Sequence, residues 1–215
     1  MNLQFDTLIF DLDGTLSDPK PGVVNSMNYA LTSFGYPPRK ESEIAQHIGP
    51  PLEKIISLLT DNTDEKHIDE LIAKYRERYF EIGYTENSLY PEIRPMLEML
   101  KAEKHRMGIC TSKHKTIAER IVQRFKIDIF FEFVDGPTRK ASKKSQLKKL
   151  LEAKIITKQS MMIGDRAVDL VAARSNSLAS AGVLWGYGNQ IELSKEKPKF
   201  LFKTPIELAQ NFIEG

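Results

Sequence analysis

Four short stretches of this chain carry side chains able to handle a phosphoryl group or a hard metal ion. In "FDLDGTLSD" Asp11 and Asp13 stand two apart and Gly14 follows them. On a strand that spacing aims both carboxylates to one side, and Gly14 permits a sharp departure of the backbone. Two close carboxylates repel each other. A divalent cation relieves the repulsion, and an all-oxygen ligand set favours a hard ion such as magnesium. "ICTS" ends on Thr111 and Ser112, whose hydroxyl and backbone N–H groups suit phosphate oxygens. "RKASKK" supplies Lys143, with Lys140 and Lys144 as neighbouring cations, and "IGDRAVD" supplies Asp165 and Asp169.

Each stretch has an ordinary reading of its own. Asp-Gly is a frequent turn pair. Asp165 suits a helix N-cap. Thr111 suits a cap or turn, and Lys143 a solvated helix start, because "SKKSQLKKLLEAK" gathers Leu147, Leu150 and Leu151 on one face. What joins them is their order: the four fall at the ends of successive expected elements.

Those elements alternate. Short apolar runs at Thr7–Phe10, Arg106–Thr111, Phe131–Val134, Ser160–Gly164 and Ala181–Trp185 read as strands buried on both faces. Helical patterns cover Pro91–Lys104, His114–Phe125, Ser142–Ala153 and Val168–Ser177. A capping box from Thr204 to Glu207 opens a last helix through about Phe212. Alternation of this kind predicts an α/β fold with a parallel sheet, whose ligands sit beyond the carboxyl ends of the strands. One stretch departs from it. From Pro19 to Phe80 only helical faces occur: Val23, Met27, Ala30, Leu31 and Phe34 on one, and Ile68, Leu71, Ile72, Tyr75 and Tyr79 on another. A detour of about sixty residues is too long for an ordinary connection, which predicts an inserted helical subdomain. The expected division is an α/β core over 1–17 and 84–215 and an insertion over 18–83, with Asp18–Pro21 and Gly83–Asn87 as hinges.

The totals set outer bounds. A chain of 215 residues fits one large domain or a core with a modest insertion. A net charge of +2 gives no argument for nucleic acid or a membrane surface. A single cysteine, Cys110, excludes an internal disulfide and suits a reducing cytoplasm. The first residues lack the basic and apolar regions of a leader, and no apolar run approaches the ~18 residues of a membrane span. The basic run from Arg139 to Lys149 lacks interleaved aromatics, so no nucleic-acid partner is expected. Gly186-Tyr187-Gly188 lacks the third glycine of a dinucleotide fingerprint.

Taken together, the four stretches resemble the motifs of the haloacid dehalogenase superfamily of aspartate-nucleophile phosphohydrolases. "FDLDGTLSD" matches the first, "ICTS" resembles the second, Lys143 the third and "IGDRAVD" the fourth. "GPPL", "LYPEIRPMLEML" and "LWGYG" are similar to the phosphoglycolate phosphatase-like branch, in which a helical cap follows the first motif. The resemblance implies a Rossmann-like core with an all-helical cap over 18–83. It implies that Asp11 attacks phosphorus, and that Asp13 acts as general acid and then general base. It implies magnesium held by Asp11, the Asp13 backbone carbonyl and Asp165, with Asp169 as ligand or support. Gly14, Thr111, Ser112 and Lys143 form the implied phosphate-binding set. The implied activity is that of a cytoplasmic phosphomonoesterase, monomer or homodimer, acting on a small phosphorylated metabolite, with phosphoglycolate first. A 5′-nucleotidase, a phosphomutase of the β-phosphoglucomutase type and a non-catalytic binding protein are the alternatives. Asp13 separates the chain from superfamily dehalogenases and P-type ATPases, which lack an aspartate there. Arg166 stands where a small residue is usual and is expected to point to solvent, contact with substrate being the alternative. Glu92 replaces a common glycine. The basic run lacks the usual proline after its lysine, so Lys140 and Lys144 remain alternatives to Lys143. In the insertion, His47 and the pair Arg76 and Arg78 are candidate substrate contacts, each with a surface reading beside it.

Overall fold

The structure, a computed structural model, describes residues 5–138 and 141–213. Thr7–Phe10 forms β1, and all four of its residues are buried, as a run without a polar face requires. A two-residue strand β2 (Ser17–Asp18) comes next. Four helices follow: α1 (Lys20–Ser33), α2 (Glu41–Ala45), α3 (Leu52–Thr60) and α4 (Glu65–Glu81). Strand β3 (Ser88–Leu89) then pairs with β2. Beyond it helix and strand alternate through α5 (Ile93–Ala102), β4 (Arg106–Cys110), α6 (Lys115–Arg124), β5 (Phe133–Asp135), α7 (Lys143–Glu152) and β6 (Met161–Gly164). The chain ends with α8 (Ala167–Ser175), β7 (Ala179–Val183), α9 (Gln190–Lys195), β8 (Phe200–Phe202) and α10 (Pro205–Ile213).

The main sheet has six parallel strands in the order β5-β4-β1-β6-β7-β8. Strand β1 lies at its centre, with Ile9 opposite Gly108 on one side and Met162 on the other. From β1 the chain first extends the sheet through β4 and β5, then crosses back to β6. The order therefore reverses at β1, which puts the ligand crevice beyond its carboxyl end. Ile9, Cys110 and Met162 pack with Leu147 and Leu150 of α7 and Ala172 and Ala173 of α8 in one buried cluster. Asp11, Thr111 and Asp165 each follow the carboxyl end of one of three adjacent strands, β1, β4 and β6.

Several boundaries differ from the sequence reading, each for a local reason. β5 starts at Phe133 because Asp128–Phe130 forms a 3-10 turn. β7 covers Ala179–Val183, two residues upstream of the expected start at Ala181, and Trp185 leaves the sheet, its indole N–H donating to Thr15 O at 2.9 Å. Lys20 and Pro21, expected in a hinge, form the first turn of α1, where proline loses no intrahelical hydrogen bond. β8 and α9 were not expected; both are short, and Phe200–Phe202 carries no turn signal of its own beyond Pro198.

The described chain groups into two compact units, one up to Ser17 and from Leu89 onward, the other Asp18–Ser88. The regular elements of the second are helical apart from its end residues, and α1 packs on α4, with Met27, Ala30 and Leu31 of the one and Leu71 and Tyr75 of the other buried. Arg78 in this unit pairs with Glu86 at 2.8 Å and donates to Ser26 Oγ at 3.1 Å, so it acts within its own unit as a structural cation.

Candidate active site

Asp11 follows the last residue of β1 and is buried. Its Oδ1 accepts from Leu12 N–H at 2.7 Å and pairs with Lys143 Nζ at 2.9 Å. Two donors on one oxygen fix the carboxylate and leave Oδ2 without a hydrogen bond among the described residues. Lys143 is the first residue of α7, whose N-cap Ser142 accepts from Ser145 N–H at 3.2 Å. The cap sets the helix phase so that Lys143 turns inward, 2% exposed, while Lys144 faces solvent. Of the three lysines, Lys143 is buried beside Asp11, Lys144 is exposed, and Lys140 lies outside the described residues. Lys143 also pairs with Asp169 Oδ1. Burial works against its charge, but Asp11 and Asp169 together outweigh burial and hold its pKa above the usual lysine range.

Asp165 follows β6, and Asp169 sits in the first turn of α8, four residues on. Asp165 Oδ1 accepts from Thr15 Oγ1 at 3.2 Å and Oδ2 from Tyr187 N–H at 2.9 Å. Asp169 Oδ2 accepts from Arg166 N–H at 3.1 Å, which satisfies the opening of α8 and leaves Oδ1 for Lys143. Gly14 adopts φ of 87°, and a Cβ there would overlap the Asp165 carboxylate. Only glycine fits both demands. Asp11, Asp165 and Asp169 each offer an oxygen within 4.8 Å of the others', and all three residues are buried. Burial, then the neighbouring Asp169 and Asp11, raise the Asp165 pKa well above its ordinary value. Burial raises Asp169 to about 6 against the opposing pull of Lys143. Three buried carboxylates against one buried lysine is an excess of negative charge, and an oxygen-only donor set of that size fits a hard divalent cation.

Asp13 lies beyond this triad. Its Oδ2 pairs with Lys113 Nζ at 2.8 Å, and its Oδ1 is buried with no hydrogen-bond partner among the described residues. Burial raises its pKa, only partly offset by Lys113. Thr111 follows β4 and is buried, its Oγ1 accepting from Lys113 N–H at 3.2 Å. Its carbonyl accepts from Gln146 Nε2 at 3.0 Å. Ser112 is half-buried beside it. Cys110 is inert core, its thiol pushed well up by burial. The expectation that Arg166 points to solvent is corrected: its Nε lies 3.0 Å from Glu192 Oε1, because α9 brings a carboxylate to the start of α8. Lys113, Thr15 and Glu192 were missed in the sequence. Lys113 had a signal, standing two residues after Thr111 in the same strand-end loop. Glu192 had none, since its partner lies 26 residues away.

Residues 8–183 match the family described as haloacid dehalogenase-like hydrolase, and the chain belongs to that family. It is 32% identical over 200 residues to a 5′-nucleotidase of Pseudomonas aeruginosa, covering 91% of this chain and 90% of that one. It is 30% identical to a phosphoglycolate phosphatase of Mannheimia succiniciproducens, covering 98% and 99%. A solved structure from Clostridium acetobutylicum, titled a predicted phosphatase, superposes with a TM-score of 0.92 at 29% identity, covering 98% of this chain and 99% of that one.

Proposed function

We propose that this protein is a magnesium-dependent phosphomonoesterase working through an aspartyl-phosphate on Asp11, with phosphoglycolate as its substrate. The observation that carries the reading is the fixed Asp11 carboxylate. Lys143 and Leu12 hold Oδ1, and Oδ2 is left to attack. Asp11 Oδ2 forms a bond to phosphorus as the bond to the leaving alkoxide breaks, and the protonated Asp13 gives that alkoxide its proton. The raised pKa of Asp13 supports this first role. Asp13, now ionised, takes a proton from the water that attacks phosphorus, releasing phosphate and restoring Asp11. Lys143 offsets charge on the transferring group, and Thr111, Ser112 and the backbone at Gly14 orient it. Asp11, Asp165 and the Asp13 carbonyl would hold magnesium, with Asp169 as ligand or support. The ion would supply charge neutralisation for the phosphoryl oxygens. The helical unit Asp18–Ser88 would act as a cap that selects the leaving group.

A nucleoside monophosphate is the second reading for the substrate, favoured by the 32% identity to the Pseudomonas aeruginosa 5′-nucleotidase. Phosphate release from phosphoglycolate, nucleoside monophosphates, sugar phosphates and pyrophosphate, with magnesium and with chelator, tests both. Magnesium-dependent release with the highest kcat/KM on phosphoglycolate supports the proposal. Highest kcat/KM on a nucleotide moves the substrate to the second reading. Isomerisation of a sugar phosphate without free phosphate contradicts both.

A further inference from the structure

Beyond β7 the chain does something the proposed chemistry does not by itself require. Trp185 donates to Thr15 O, and Gly186 passes so close to Gly14 O and the Asp165 side chain that a Cβ would overlap both. Tyr187 N–H donates to Asp165 Oδ2, and a Cβ at Gly188 would overlap the Asp165 carbonyl. Asn189 then caps α9, its Oδ1 accepting from Glu192 N–H at 2.9 Å. Glu192 points back across the gap. Its Oε1 accepts from Arg166 Nε at 3.0 Å and from Ala167 N–H at 2.8 Å. Arg166 and Ala167 are two of the three residues between Asp165 and Asp169, so the segment Trp185–Glu192 closes a loop around the acidic turn.

We propose that Glu192 is a positioning residue for the metal site, closing the Trp185–Glu192 segment as a clamp on the Asp165–Asp169 turn. The inference rests on the metal-dependent reading above and deepens it. Asp165 and Asp169 occupy opposite ends of a five-residue turn spanning a strand end and a helix start. Asp165 is held by Thr15 and Tyr187, and Asp169 by Lys143 and Arg166 N–H. The backbone between them needs its own restraint if both carboxylates are to converge. Glu192 provides it through one oxygen that takes both an ionic partner and a backbone N–H. The pair is well shielded, Arg166 and Glu192 being 16% and 25% exposed, so water competes weakly for the contact. Arg166, which departs from the small residue usual at its place, is accounted for as the cationic half of the latch.

Supporting groups of this kind typically change metal affinity by about 10–100-fold when removed. The test is magnesium binding by isothermal calorimetry on the full chain, with the melting temperature of the same samples. Wild type is expected to bind one ion and Asp165→Asn to lose it. Glu192→Ala is expected to raise the magnesium Kd by about tenfold or more. Glu192→Gln, which keeps an acceptor oxygen, is expected to fall between them. A folded Glu192→Ala protein with the wild-type Kd and only a lower melting temperature overturns the clamp and leaves the metal reading intact. No magnesium binding by wild type overturns both. If Glu192→Ala fails to fold, Glu192→Gln and Arg166→Gln decide the matter: an unchanged Kd in both overturns the proposal.

Discussion

Asp13 is acted on in opposite directions. Burial favours its protonated form, while Lys113 at 2.8 Å favours the carboxylate, and burial wins. A protonated Asp13 matters only where the leaving group needs a proton. Asp13→Asn should therefore lower kcat/KM, which reads the transfer to Asp11 and not the later hydrolysis, by about 10²–10⁴-fold on alkyl phosphates and much less on p-nitrophenyl phosphate, whose leaving group departs unprotonated. Comparing the two rate ratios checks this; an equal loss on both esters would remove Asp13 from the acid role. Lys143 has a different weight. It is the buried cation facing Asp11 and Asp169, and its removal strands their charges. Lys143→Met should cost about 3–5 kcal/mol of stability in metal-free protein. Added magnesium should recover part of that, read as melting temperatures with and without the ion.

At the scale of elements, the helices that flank the sheet end in one shared way. α5, α6, α7 and α8 each run into a left-handed residue two places past the last helical one: Lys104, Lys126, Lys154 and Ser177, with φ from 54° to 63°. In α7 the Ile155 N–H donates to Leu150 O at 3.0 Å and Lys154 N–H to Leu151 O at 3.0 Å, a complete Schellman closure. Non-glycine residues bear a steric cost there. Lys154→Gly should stabilise the protein by about 0.5–1 kcal/mol, raising the melting temperature by roughly 1–4 °C, measured by calorimetry. The same chemistry explains what was legible in the sequence. Apolar runs and cap signals such as Ser142 and Thr204 placed β1, β4, β6, α7 and α10 closely, because both are local. Helix ends lacked their usual glycine and blurred by one or two residues. β7 was misplaced because Leu184 and Trp185 are as apolar as a strand, and the bond that draws Trp185 out to Thr15 O joins residues 170 apart in the chain. Strand-end spacing pointed to Asp11 with Asp13 and to Asp165 with Asp169 as two separate pairs, and the approach of Asp11, Asp165 and Asp169 to one another follows only from the sheet order that sets β6 beside β1. The bonds to Lys113 and Glu192 were less legible, since they join elements whose meeting is settled only by sheet order.

For the whole molecule, the buried acid cluster couples stability to pH and to cation. Unfolded aspartyl carboxyls titrate at about 3.9. Asp169 in the folded chain titrates at about 6, and Asp165 is also raised. The folded state thus holds protons more tightly than the unfolded one between those values. The contribution of these groups to stability is greatest below the unfolded pKa and is lost as pH rises through about 6. Metal-free protein should therefore lose stability across that window. Magnesium, binding the deprotonated acids, should raise the melting temperature more at about pH 7.5 than at about pH 5. Equal gains at the two pH values, by differential scanning fluorimetry, would contradict the coupling.

In the proposed reaction Asp11 carries the phosphoryl group during turnover. Acid quenching of the enzyme in the steady state, followed by peptide mass spectrometry, tests it most directly. The expected result is a phosphoryl group on Asp11 that hydroxylamine removes and that Asp11→Asn abolishes together with phosphate release. Steady phosphate release with no modified Asp11 peptide, and activity persisting in Asp11→Asn checked for deamidation, would contradict it.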